Sequence, residues 1–130
     1  MIKLVYCLRR RQDVSESDFH TYWLNEHGPK VGGVARSIGA VKYVQSHTCE
    51  PQLNELLRES RGLAEAYDGI TEVWWESAEA MAAATGSSDG AAAMQMLLED
   101  ESTFIDFSQS RIFMTEETEI FNYTSDAAGR

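Results

Sequence analysis

The side chains most able to do chemistry crowd into one stretch, FHTYWLNEHGPKVG at positions 19–32. It brings His20, Tyr22, Trp23 and His27 together just before a Gly28-Pro29 break. Metal ligation is the first chemistry to weigh. His20 and His27 stand at i and i+7, which turns a helix through about 700° and leaves the two on one face but roughly 10 Å apart along the axis. One ion with bonds of ~2 Å cannot use both, so no metal site is expected. Proton chemistry fits better. A helix C-terminus favours an imidazolium and burial opposes it, so His27 is placed to titrate near neutrality as an acid or base. The structural alternative is that its ring bonds a carbonyl freed where Pro29 breaks the helix. His20, between Phe19 and Thr21, reads as a packing residue.

Two strand-like segments add candidates. Tyr43, Gln45 and His47 fall on one face of a strand by alternation, a polar and aromatic stripe suited to a cavity wall. Glu72 and Trp74 share a face of the next strand. A carboxylate between apolar neighbours is costly unless paired, so Glu72 either meets a cation or lines a polar cavity. The catalytic candidates are thus His27 and His47 as acid or base, with Tyr43 as a hydrogen-bond donor. Tyr22, Trp23, Gln45, Glu72 and Trp74 are candidates for binding. No nucleophile motif, phosphate loop or dinucleotide fingerprint occurs, and Gly32-Gly33 lacks the spacing and the Lys-Ser/Thr of a phosphate cradle. No cofactor is therefore expected.

The elements that must hold these residues follow from pattern. Ile2–Leu8 reads as a strand apolar on both faces. Ser15 caps a helix with Glu16 and Asp18 in its first turn. Pro29 disfavours helical geometry at the residue before it, so that helix is predicted to end at Gly28. Val31–Ile38 forms a second helical piece, stopped at Gly39. A strand over Ala40–Thr48 is followed by a connection with helical character at Leu53–Leu57 and Gly62–Tyr67. Asp68-Gly69 marks a turn into a strand over Ile70–Glu76. Ser77 caps a further helix, Gly86-Ser87-Ser88 interrupts it, and Asp89–Leu98 resumes it. Glu99–Phe107 reads as loop or short helix, and Gln109–Glu119 as the last strand. The order β-α-β-β-α-β is that of a ferredoxin-like α+β protomer with an antiparallel four-stranded sheet. Its helices cover one sheet face, and the apolar character of the other predicts a homodimer by two-fold pairing. Cys7 and Cys49 should then be too far apart to bridge.

The totals bound the rest. A chain of 130 residues, 43% apolar and 25% charged, suits one folded domain at 1–122 with a flexible tail at 123–130. Net charge is -10, opposite to the basic surface that nucleic acid requires. Arg9-Arg10-Arg11 is too short a run to change this and reads as a solvated loop. No apolar segment approaches the roughly 20 residues of a membrane helix, and no leader pattern is visible, so the expected location is cytoplasmic and no membrane partner is expected.

The stretches MIKLVYCLRRR, SDFHTYWLNEHGPKV, KYVQSHT and YDGITEVWW, in that order, resemble the EthD family of the dimeric α/β-barrel superfamily. The resemblance extends over about residues 1–121. It implies a ferredoxin-like protomer whose sheet pairs with a second copy into a barrel, and a hydrophobic small molecule held between sheet and helices. It further implies a cofactor-independent enzyme acting on an aromatic or polyketide-like compound by acid/base proton transfer, through dehydration, decarboxylation or cyclisation. A cofactor-free monooxygenase, or a non-catalytic binding or accessory protein to an oxygenase, are the alternatives within the same resemblance.

Overall fold

A computed structural model describes residues 1–124; the expected tail at 123–130 lies outside the described residues from position 125 onward. Four strands, β1 (Ile2–Leu8), β2 (Lys42–His47), β3 (Gly69–Trp75) and β4 (Arg111–Thr115), form one sheet in the order β2-β3-β1-β4. Every adjacent pair is antiparallel. The fold is α+β and ferredoxin-like, and the sheet stays open. Because β3 separates β1 from β2, Cys7 and Cys49 are apart, and both are free thiols.

Strand alternation sorts the sheet into two faces. Leu4 pairs with Val73 and Val73 with Tyr43; Tyr6 pairs with Thr71 and Thr71 with Gln45. These residues lie under the helices. Lys3, Val5, Ile70, Glu72, Trp74, Val44 and Phe113 lie on the opposite face, against which no helix among the described residues makes its main packing.

The helices are α1 (Glu16–Tyr22), α2 (Gly28–Ile38), α3 (Pro51–Arg61), α4 (Ala78–Gly86) and α5 (Ser88–Glu101). The hydroxyl of Ser15 accepts the amide of Asp18 at the start of α1, and Ser77 and Ser87 cap α4 and α5 in the same way. Each such cap contributes about 1 kcal/mol. The predicted helix end at Gly28 is corrected: one π-helical turn, Trp23–His27, joins α1 to α2 without a break. Pro29 has no N–H, and its ring crowds the carbonyl four residues back. The wider turn accommodates both, with the Gly28 amide bonding the Trp23 carbonyl. Gly39 ends α2 in the left-handed region at φ 75°, where a side chain would be strained. The connection between β2 and β3 holds one helix, α3, and the predicted second one at Gly62–Tyr67 does not form. α5 runs to Glu101, three residues past its predicted end.

Two apolar clusters fill the layer between helices and sheet. Val31, Ile38, Val73, Trp75, Ala93 and Leu97 make one, and Leu8, Phe19, Trp23, Phe104 and Ile105 the other. Trp23 lies so close over the start of β3 that a Cβ on Gly69 would sit 2.4 Å from its ring. Only glycine admits the indole there.

Candidate functional site

Helix α1 enters the layer with Phe19 and Trp23 buried, and the π turn follows at once. A π turn adds a residue to the helical circuit, so it re-aims the side chains after it, and such turns are frequent at functional sites. Here it directs His27, 5% exposed, against α5. Gln45 secures the turn from below: its Nε2 donates to the Trp23 carbonyl at 2.8 Å, approaching across Gly28.

His27 Nδ1 lies 2.6 Å from Oδ2 of Asp100, near the end of α5. The other Asp100 oxygen accepts from the Tyr22 hydroxyl and, at 3.2 Å, from Lys30 Nζ. Burial alone pushes the Asp100 carboxyl up, but the bonds from Tyr22, His27 and Lys30 outweigh it and hold the group below its ordinary value. Burial pushes His27 down, against the opposing pull of the Asp100 carboxylate. At neutral pH the pair is therefore a carboxylate and a neutral imidazole. Nδ1–H donates to Asp100, and the lone pair sits on Nε2. A base whose tautomer is fixed by a carboxylate is a recurring catalytic unit.

His27 forms part of the wall of a cavity of about 700 Å³ between the helices and the sheet, within the usual range of about 300–1,000 Å³ for ligand sites. Leu4, Val73 and Trp75 make its apolar floor, and Val31, Ile38, Leu97 and Leu98 the facing wall. The polar groups on it include His27, Tyr6, Tyr43, Thr71 and Glu101, and Thr85, Gln95, Ser110 and Arg111 line it as well. Tyr43 is pushed up by burial, so its hydroxyl keeps its proton. That hydroxyl accepts from Gln45 Nε2 at 2.8 Å, leaving the proton available to a ligand.

The structure thus brings His27, Trp23 and Tyr43 to one cavity and sends the other sequence candidates elsewhere. Tyr22 sits behind the cavity on Asp100. Gln45 is spent on Trp23 and Tyr43. His47 lies beyond Trp23, its ring 4.3 Å from the indole, with Nε2 on Gln45 and Nδ1 on His20; burial, and then the nearby His20, push it down. The expectation that Glu72 and Trp74 reach the cavity is corrected. Alternation puts Thr71, Val73 and Trp75 on that side, and Glu72 instead meets Lys3 Nζ at 2.8 Å on the opposite face. Trp74 there donates to Glu117 and lies under Lys42.

Asp100, Glu101 and Tyr6 are site residues that sequence reasoning misses. A signal existed for two of them. Glu99-Asp100-Glu101 ends a helix, where the backbone dipole disfavours negative charge, so an acidic run there calls for partners in the tertiary structure. Among the described residues, no three His, Cys, Asp or Glu side chains gather into a possible metal site.

The EthD domain profile matches residues 11–108. No curated protein sequence matches the chain. Among solved structures, an ethyl tert-butyl ether D (EthD) family protein from Bacillus halodurans C-125 superposes with a TM-score of 0.57 at 19% identity, covering 91% of this chain and 99% of that one. A dimeric protein of unknown function and ferredoxin-like fold from Bacteroides fragilis gives 0.56 at 10% identity, over 89% and 95%. SnoaB, a cofactor-independent oxygenase from Streptomyces nogalater, gives 0.53 at 9% identity, over 91% and 93%.

Proposed function

The chain belongs to the EthD family, and on that premise we propose that it binds a hydrophobic aromatic or polyketide-like compound and, through neutral His27, removes a proton from it without a cofactor. The observation that carries this reading is the His27–Asp100 pair set in the wall of an apolar cavity. A planar ligand would lie on the floor between Val73 and Leu97, with Tyr43 donating to a ligand oxygen. His27 Nε2 would take the proton. Positioned bases of this kind contribute about 10²- to 10⁴-fold.

Removal of a carbon-bound proton leaves a carbanion stabilised by the ring system, and its fate sets the reaction class. Oxygenation is the favoured fate. The likeness to SnoaB supports it, whereas dehydration, decarboxylation and cyclisation have no comparable support. In such a step a ring methylene and dioxygen become a carbonyl and water. Its two hydrogens leave with one oxygen atom, and the ring carbon is oxidised by the dioxygen that is reduced. The same reading makes the protein a homodimer with the uncovered sheet face as the contact, and the dimeric Bacteroides fragilis protein supports it.

Anthrone, a planar tricyclic ketone with an acidic ring methylene, is a suitable probe. Deuterium exchange at that methylene without oxygen, oxygen uptake in air, and binding would each be measured with wild-type protein and with His27→Ala. Exchange or uptake that disappears in His27→Ala supports the proposal. Binding with neither activity would make the protein a binding module, and no binding would overturn the reading altogether.

A further inference from the structure

We propose that Glu101 is a second proton-carrying group of the same cavity, donating to a ligand carbonyl oxygen while His27 takes a proton from a carbon conjugated with that carbonyl, so that the site takes compounds with an enolisable ketone. The inference rests on the reading of His27 just given and deepens it.

The two adjacent carboxyls at the end of α5 enter different surroundings, because successive helical residues point about 100° apart. Asp100 turns to the π turn, where Tyr22, His27 and Lys30 all donate to it. Glu101 turns to the sheet, where its partner is the Tyr6 hydroxyl at 3.1 Å on β1. Among the described residues no cation forms an ion pair with it: Lys30 is bonded to Asp100, and Arg111, which also lines the cavity, sits opposite Cys7 in the β1–β4 pairing. Tyr43 and His27 share the wall as neutral groups, and the carbonyl end of α5 disfavours negative charge. A carboxyl without a counter-ion among the described residues, in a wall shared with Leu4, Leu98 and Ile105, favours its protonated form. Burial, helped by the Asp100 charge and opposed by the Tyr6 bond, pushes it up to about 7.

The orientation of that proton follows. Burial pushes the Tyr6 hydroxyl up as well, so Tyr6 donates and Glu101 Oε1 accepts. Oε2 makes no hydrogen bond to another described residue, so the proton is assigned to it. When His27 Nε2 takes a proton from the methylene of such a ketone, the C–H pair enters the ring system as a new double bond and the carbonyl π pair moves out onto the oxygen. The ketone oxygen receives the Glu101 proton. His27 ends as imidazolium and Glu101 as carboxylate, and both reset through solvent. Pairs of titratable groups pushed in opposite directions by their surroundings are the usual arrangement for such exchanges.

Carbon-13 NMR of glutamate-labelled free protein tests the group directly. One carboxyl should titrate near neutrality and vanish in Glu101→Gln. In Tyr6→Phe it should titrate higher, since the lost bond favoured the charged form. Ionisation of Glu101 among ordinary carboxylates, below about pH 5, would overturn the inference and leave His27 untouched. Anaerobic exchange at anthrone tests the role. Glu101→Gln should bind anthrone yet exchange it about 10²- to 10⁴-fold more slowly, and should lose the fall in rate on the alkaline side. An unchanged rate and profile would overturn the role. If wild-type protein exchanges nothing, the proposal for His27 fails separately. A Glu101 titration raised by bound anthrone would then still support a cavity acid, and an unmoved one would refute it.

Discussion

A buried acid near neutrality has a stability signature that needs no ligand. The Glu101 carboxyl lies at about 7 in the folded protein against 4.5 when unfolded. A group raised on folding contributes its stability fully below the unfolded value and loses it as pH rises through the folded one. Between pH 4.5 and about 7 the wild-type protein should therefore weaken at about 1.4 kcal/mol per pH unit from this group alone, to a total of about 3 kcal/mol. Because Glu101 is only part-buried, solvent reduces this, and about 2 kcal/mol is a working value. Glu101→Gln keeps the shape and can still accept from Tyr6 but cannot ionise. Urea unfolding of both proteins at pH 5 and pH 8, at one protein concentration, gives the difference of differences, from which pH-independent effects of the amide cancel. The variant should gain about 2 kcal/mol on wild type between the two pH values. A gap that does not change with pH would show that Glu101 is an ordinary carboxylate, and the argument from its missing cation would fail.

Two further expectations concern the pair on the other side of the cavity and the bare sheet. Asp100→Asn replaces an acceptor of three donors by a group that accepts on one side only. Tyr22 and Lys30 share one side and Lys30 can only donate, so the amide oxygen stays with them and the NH2 faces His27. The His27 proton then moves to Nε2 and the base is lost, cutting anthrone exchange by about 10² or more, while unfolding costs about 1–3 kcal/mol. Nitrogen-15 NMR of the His27 ring reads the tautomer, and an unaltered Nδ1–H in the variant would contradict the reasoning. The face carrying Val5, Val44, Ile70 and Phe113 should pair with a second copy and bury on the order of 1,000 Å² or more in total. Light scattering at micromolar concentration should report a dimer that Phe113→Asp weakens, and a monomeric wild type would exclude the pairing.

The order of elements was legible in the sequence because each strand is bounded by its own turn or cap signal and the apolar runs are long enough to place. The site was legible only where chemistry and local pattern coincide. His27 shows itself as a histidine beside a proline, and Trp23 and Tyr43 show themselves as aromatic residues in phase with their elements. The π turn does not show, since a proline inside a helical pattern reads as a stop, and no local pattern announces that Gln45 will bond the turn's Trp23 carbonyl from a strand. Strand faces were harder for a different reason. Alternation separates Glu72 and Trp74 from Val73 and Trp75, but it does not say which set faces the helices; that phase is fixed between strands, by Tyr43 pairing with Val73 and Val44 with Glu72.

The acids of α5 mark the limit of such reading most sharply. Asp100 and Glu101 are neighbours with similar side chains, and no local pattern assigns them different charges. What separates them is what the fold sets opposite each. The π turn supplies Asp100 with a histidine, and Tyr22 and Lys30 flank that turn; β1 supplies Glu101 with a phenol alone. Each donor comes from a segment distant in the chain, so neither environment exists until α5 docks between the helix and the sheet. On the proposed reading the same docking makes the pair functional: three donors hold one carboxyl as an anion that orients a base, and burial leaves the other as an acid with a proton to give.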